Sequence, residues 1–157
     1  MRVLISDRKS ASLGTQAQAT QGTRVPFSTV LQESTILMVL VPKTQDTLNL
    51  ISSTELQNMN PHAVIVNISR GGIVDETAIV EALQSGQIAG YATDVFQVEP
   101  AEGAKDSPLL APEARDLNLT LSPHVAWFGE KTRANLVKML KENVELYIAG
   151  SPQNLVV

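Results

Sequence analysis

Three side chains stand out by type and setting: Arg70 followed by Gly71-Gly72, Glu99 ahead of Pro100, and His124 in Ser122-Pro123-His124. An arginine presents a planar fork of N–H donors that matches a carboxylate. Two glycines after it let the chain turn sharply and let a ligand come close. A histidine gives and takes protons near neutral pH, and a carboxylate beside it favours the charged ring and orients it. Taken singly, each residue also has a structural reading. His124 lies between Pro123 and the apolar run Val125-Ala126-Trp127-Phe128, and Glu99 alone is a loop carboxylate. Asp94, in Ala92-Thr93-Asp94-Val95, serves equally well as a helix cap or turn former. His62, in a loop ahead of an apolar run, reads as a surface residue.

The elements that would position these groups are read from the apolar pattern. Short continuous apolar runs bounded by polar or turn residues read as strands buried on both faces. They predict strands at Val3–Ile5, Ile36–Val41, Ala63–Ile68, Ile88–Val95 and Leu117–Leu121. Between them, Val30–Ser34 reads as one or two helical turns. Ser52-Ser53-Thr54-Glu55 has the spacing of a capping box and predicts a short helix through Met59. Asp75 caps a helix with Ile79, Val80 and Leu83 on one side, ended by Gly86. A last helix from Glu130 to Ile148 carries a core-facing stripe of Leu136, Leu140 and Val144. The polar stretch from Lys9 to Thr23 predicts no element, and residues 97–116 read as a long surface loop.

Strands alternating with helices in this way predict an α/β parallel sheet. In open parallel sheets ligands bind beyond the carboxyl ends of the strands. The first predicted strand ends at Asp7-Arg8-Lys9, and the second leads to Pro42 and Thr47. The third delivers Ser69-Arg70, the fourth Asp94 and Glu99, and the fifth His124. Five successive strand ends thus bring polar groups of catalytic type to one edge.

Composition narrows the function classes. The net charge of −4 provides no basic field for nucleic acid or an anionic membrane. With no cysteine there are no disulfides, no thiolate chemistry and no Cys-ligated metal, and an intracellular, cytoplasmic setting is the expectation. No apolar run approaches the ~18 residues of a membrane span. No metal site is expected.

Three stretches together are more specific than their parts. Asn67-Ile68-Ser69-Arg70-Gly71-Gly72-Ile73-Val74-Asp75-Glu76 resembles the N-x-[SA]-R-G-x-x-[VI]-D-E signature of the D-isomer-specific 2-hydroxy-acid dehydrogenases. Asp94-Val95-Phe96-Gln97-Val98-Glu99-Pro100 resembles that family's D-V-x-x-x-E-P element, and Ser122-Pro123-His124-Val125-Ala126 its [ST]-P-H-[IV]-[AG]. Trp127 and the Ser107-Pro108-Leu109-Leu110 loop look most like the glycerate dehydrogenase (hydroxypyruvate reductase) branch.

The resemblance implies hydride transfer between NAD(H) and a small 2-oxo or 2-hydroxy acid such as hydroxypyruvate or glyoxylate. Arg70 would bind the acid, His124 would be the general acid and base, and Glu99 would hold the imidazole. Asp94 would take the nicotinamide carboxamide, with Ile68, Ser69 and Ala126 nearby, while Val41, Pro42 and Thr47 would lie by the adenosine side. Asp7 would receive the adenosine ribose, which favours NAD. Arg8 and Lys9 directly after it attract a 2′-phosphate, so NADP is the alternative. The same resemblance implies a homodimer in the full-length form.

The chain departs from the family in two respects, the first being that full members are longer and open with a separate substrate domain that is not found here. The second is that it contains no G-x-G-x-x-G, the turn that binds the pyrophosphate. The expected fold is therefore an incomplete doubly wound, Rossmann-like sheet lacking its first strand and glycine-rich turn, with a long C-terminal helix. Residues 1–128 would be a partial NAD-binding domain, and 129–157 a helix and tail returning to a missing substrate domain. In the strand order 3-2-1-4-5-6 the missing strand is central, which would leave the runs at residues 2–6 and 36–41 with exposed edges. The expectation is a C-terminal half that is inactive alone. A non-catalytic, NAD-sensing module of the dehydrogenase-like corepressor type is the alternative, since it keeps the same Arg, Glu and His.

Overall fold

The computed structural model describes residues 1–9 and 24–155. It divides into two compact units, Met1–Pro123 and His124–Val157.

In the first unit β1 (Ile36–Val39), β2 (Val64–Asn67), β3 (Gly90–Thr93) and β4 (Leu119–Leu121) form one sheet. All pairings are parallel and the strands lie in sequential order. Parallel neighbours need long crossovers, usually helical. Here α1 (Phe27–Glu33) precedes β1, α2 (Ser53–Leu56) joins β1 to β2, and α3 (Glu76–Gln84) joins β2 to β3. The helix starts are set by local chemistry. The Ser52 amide and hydroxyl both donate to Glu55 Oε2, at 3.1 and 2.7 Å, as a capping box requires. Asp75 Oδ1 accepts from the Thr77 and Ala78 amides at 3.0 and 3.1 Å.

Register places Leu37, Ile65, Tyr91 and Leu119 side by side on one face, with Val39, Asn67, Thr93 and Leu121 in the next row. The first three of each row are buried. Ile51, Leu56, Ile73 and Ile79 complete the core beside them. Each such aliphatic side chain contributes about 1.5–3 kcal/mol by leaving water. The opposite face is less covered at β1, where Ile36 and Met38 are 63% and 46% exposed. β1 is also an edge of the sheet, as the sequence led us to expect.

The expected strand at Val3–Ile5 is replaced by a single bridge between Ser6 and Val25. Asp7 N donates to Val25 O and Val25 N to Ile5 O, at 2.8 and 2.9 Å. Pro26 comes next and has no N–H with which to continue the ladder. Val3 is 70% exposed, so an apolar run without a neighbouring strand does not become one.

Burial of Tyr91 raises its phenol to about 12, against smaller opposing contributions from hydrogen bonds to Thr93 and Asn67. A raised folded-state value means stability that is full below the ordinary tyrosine range near ~10 and is lost as pH climbs toward the folded value. Melting measured from pH 9 to 12 should show a loss of about 2–3 kcal/mol in the native chain. Tyr91→Phe should lack that part of the loss, and identical alkaline profiles for the two proteins would refute the assignment.

The second unit contains α4 (Glu130–Ile148). Its exposed face carries ion pairs Lys138–Glu142 and Lys141–Glu145, each at 3.7 Å. Ahead of it, Trp127 and Phe128 meet edge to face at 5.2 Å, and the Arg133 guanidinium lies 4.7 Å from the Phe128 ring centre. The stripe expected to face a core does not do so, since no residue of α4 is buried.

Candidate active site

Asn67 ends β2 and is 1% exposed. Its side chain shapes the next turn from both ends, with Oδ1 accepting from Ser69 N and Nδ2 donating to Arg70 O, both at 3.1 Å. Its carbonyl accepts from Asp94 N and from Thr93 Oγ1, again at 3.1 Å. The turn after β2 is thereby tied to the end of β3. The Ser69 hydroxyl donates to Val41 O, which ties the same turn to the segment after β1. Arg70 emerges exposed at its tip, with one Nη1 contact to Ser69 O at 2.8 Å.

Gly71 sits where no side chain fits. A β-carbon there would lie 1.7 Å from the Phe96 carbonyl oxygen. Gly72 adopts a φ of +81°, in the region glycine enters without penalty. The turn bearing Arg70 is thus packed directly on the loop that bears Glu99. In that loop Phe96 N donates to Glu99 Oε1 at 2.9 Å. Glu76, 3% exposed at the start of α3, holds the loop from behind. Its Oε1 accepts from Gln97 N and its Oε2 from the Ser107 hydroxyl, both at 2.6 Å.

The remaining expected site residues lie at the neighbouring strand ends and in the second unit. Asp94 is buried, and its Oδ1 accepts from the Ser122 hydroxyl at 2.6 Å. Ser122 N donates to Thr93 O at 3.0 Å, so the chain just before Pro123-His124 is fixed to the β3 end. His124 opens the second unit with a φ of +56°, and its carbonyl accepts from Trp127 Nε1 at 2.9 Å. Ala126 lies in that unit too. Ile68 is exposed, and Val41 is partly buried. The Thr47 hydroxyl donates to Pro42 O at 2.7 Å and accepts from Thr44 N at the same distance, so it braces the loop after β1. Asp7 comes directly after the Ser6 bridge, and its Oδ1 accepts from Arg8 N at 2.8 Å.

A groove of about 620 Å³ opens beyond β1 and β2, lined by Leu40, Val41, Pro42, Lys43, Ser69 and Arg70. Among the described residues its cations are Lys43 and Arg70, and no carboxylate lines it. Sequence reasoning passed over Lys43 because a lone lysine after a proline carries no signal. It also passed over Glu76 and Asn67 as individual actors, though both stood inside a recognised motif.

These residues fit two ends of a nicotinamide dinucleotide. Asp7 Oδ2 has no partner among the described residues and is of the type that accepts ribose hydroxyls. The groove's apolar wall at Val41 and Pro42 suits the adenosine, and its Ser69 and Arg70 edge suits the other end. The sequence contains no G-x-G-x-x-G, so this chain contributes no pyrophosphate turn of that kind.

A parallel α/β sheet with polar groups gathered at its carboxyl ends defines the doubly wound, nucleotide-binding class. Residues 1–126 match the family described as "D-isomer specific 2-hydroxyacid dehydrogenase, NAD binding domain", and the chain belongs to that family. It is 40% identical over 132 residues to a glycerate dehydrogenase of Methylorubrum extorquens, covering 84% of this chain and 41% of that protein. Among solved structures it resembles the NAD-complexed form of a D-isomer specific 2-hydroxyacid dehydrogenase from Lactobacillus delbrueckii ssp. bulgaricus. That match has a TM-score of 0.72 and 26% identity, over 86% of this chain and 43% of that one. An acyclic imino acid reductase in complex with NADPH and D-Arg gives a TM-score of 0.72 at 29% identity, over 85% and 41%. The chain therefore spans less than half the length of the relatives it matches. Among the described residues no helix is long and apolar enough to cross a membrane.

Proposed function

We propose that this chain is the cofactor-binding part of an enzyme that transfers hydride between NAD(H) and a small 2-oxo or 2-hydroxy acid, glyoxylate or hydroxypyruvate being the first candidates. The observation that carries this reading is the packing of Gly71 on Phe96, which sets the Arg70 turn against the Glu99 loop at the carboxyl edge of the sheet. Arg70 takes the carboxylate and the neighbouring keto oxygen through paired N–H donors. His124 delivers a proton to the carbonyl oxygen as it becomes an alcohol and removes it in the reverse direction. On the family resemblance Glu99 would hold the imidazole and orient it. Asp94, Ile68, Ser69 and Ala126 border the nicotinamide, and the cofactor, when bound, donates or accepts the hydride. Asp7, Val41, Pro42 and Thr47 border the adenosine, with Arg8 beside them.

Two further features support the reading. The left-handed backbone at His124 costs about 1–2 kcal/mol, and such strain gathers at functional sites. The glycerate dehydrogenase relative is 40% identical over 132 residues, a span too long to leave out any of the three motif stretches. A cytoplasmic homodimer belongs to this reading on the family resemblance alone. No observation favours the corepressor-type module.

The reading is tested by joining the chain to the amino-terminal portion of the M. extorquens glycerate dehydrogenase. NADH oxidation is then measured with hydroxypyruvate and glyoxylate. The isolated 157-residue chain should show no turnover, while the joined protein should. In the joined protein His124→Asn should lower kcat by roughly 10²–10⁴-fold, the usual worth of a general acid. Arg70→Met should chiefly raise KM. A folded, NADH-binding joined protein without turnover would replace the enzyme with a binding module.

A further inference from the structure

Two cations come directly after Asp7, and a lysine or arginine at that position would draw a 2′-phosphate. The structure gives one of them another occupation. Lys9 Nζ lies 2.9 Å from Glu55 Oε1 and donates to Leu50 O at 3.3 Å. Glu55 has only 7% of its side chain exposed and is itself fixed at Oε2 by the Ser52 hydroxyl and amide. We propose that Glu55 is a positioning residue for cofactor choice: by occupying the Lys9 ammonium it withholds a cation from the turn after Asp7 and keeps the site for the unphosphorylated ribose of NAD.

The inference rests on the dinucleotide reading above and adds which residue sets the preference. Burial works against the Glu55 charge, but the Lys9 and Ser52 contacts outweigh it and hold its carboxyl below the usual range. Glu55 is therefore ionised at neutral pH. Asp7 remains, with its backbone contact from Arg8, to accept ribose hydroxyls and repel a phosphate. Arg8 is exposed and pairs with no carboxylate among the described residues, so its attraction for a phosphate is a constant background. Freeing Lys9 would add a second cation to that background. A single exposed lysine on a phosphate changes affinity by roughly five- to tenfold.

The test measures binding of adenosine 5′-monophosphate and adenosine 2′,5′-bisphosphate to the 157-residue chain by NMR titration. Glu55→Gln should raise affinity for the bisphosphate by roughly five- to tenfold relative to the monophosphate. Adding Lys9→Met to Glu55→Gln should cancel that rise. Lys9→Met alone alters a half-exposed residue and should change the ratio by less than about twofold, because the lysine is already engaged. A merely structural pair would move both nucleotides together.

An unchanged ratio in Glu55→Gln overturns the proposal, and so does a rise that survives loss of Lys9. A bisphosphate-selective loss in Lys9→Met alone also overturns it, and that variant decides the matter should Glu55→Gln not fold. If the native chain binds neither nucleotide, the dinucleotide reading fails and this inference with it. Binding of both with an unmoved ratio rejects the inference alone.

Discussion

Gly71→Ala should unfold the chain or displace the Phe96–Glu99 loop, with a stability loss of about 3 kcal/mol or more. The added methyl group would sit 1.7 Å from Phe96 O, 2.1 Å from Phe96 C and 2.6 Å from Gln97 N. All three are backbone atoms, so no rotamer change relieves the overlap. Either the Arg70 turn or the Glu99 loop has to retreat, and both are tied down, the first by Asn67 and the second by Glu76. Domains are stable by only about 5–15 kcal/mol, so the loss is a large share of the total. Urea denaturation gives the number. Amide exchange at Phe96 and Gln97 shows whether the loop has moved. A Gly71→Ala chain with native midpoint and native exchange would show that the two segments do not touch. Gly86→Ala is the contrast, since a β-carbon there meets nothing within 4 Å. Its cost should be confined to the backbone, where its φ of +70° already favours glycine.

Glu76→Ala should cost about 3–6 kcal/mol, from two hydrogen bonds to a carboxylate at roughly 1.5–3 kcal/mol each. The Gln97 amide and the Ser107 hydroxyl would lose their acceptor at a buried position. Leu109 N donates to Ser107 Oγ at 3.2 Å, so the disturbance should spread to the turn beyond it. Glu76→Gln keeps one acceptor oxygen for Gln97 and should cost only about 1 kcal/mol. The two variants together separate a requirement for an acceptor from a requirement for charge. Equal melting temperatures for Glu76→Ala and the native protein would remove Glu76 from the account of how Glu99 is held. In the joined enzyme, the same substitution should lower kcat without direct contact to substrate.

Much of the fold was legible because it depends on neighbours in sequence. The Ser52–Glu55 box and the Asp75 cap are contacts across two or three residues, and both formed as their spacing predicts. The apolar runs at 36–41, 63–68, 88–95 and 117–121 each became a strand, shortened at its ends. The run at Val3–Ile5 has the same local character and did not, because a strand exists only with a partner. The α4 stripe fails as a core for a similar reason. Periodicity tells which face is apolar and leaves open what covers it.

The site divides along the same line. Arg70, Glu99 and His124, with their order and motif spacing, were determined by the sequence alone, since residue type dictates which chemistry each can do. So was the choice of a glycine pair after the arginine. Only the tertiary structure decided that Gly72 makes the turn while Gly71 makes room for Phe96. It likewise made Thr47 a brace for its own loop, Glu76 a clamp on Gln97 and Ser107, and Lys9 the partner of Glu55. The physical reason is distance along the chain. Glu76 and Ser107 are 31 residues apart, and the Lys9 backbone contact reaches across 41. No local pattern encodes such pairs, because their energy arises only when the sheet has brought the segments together.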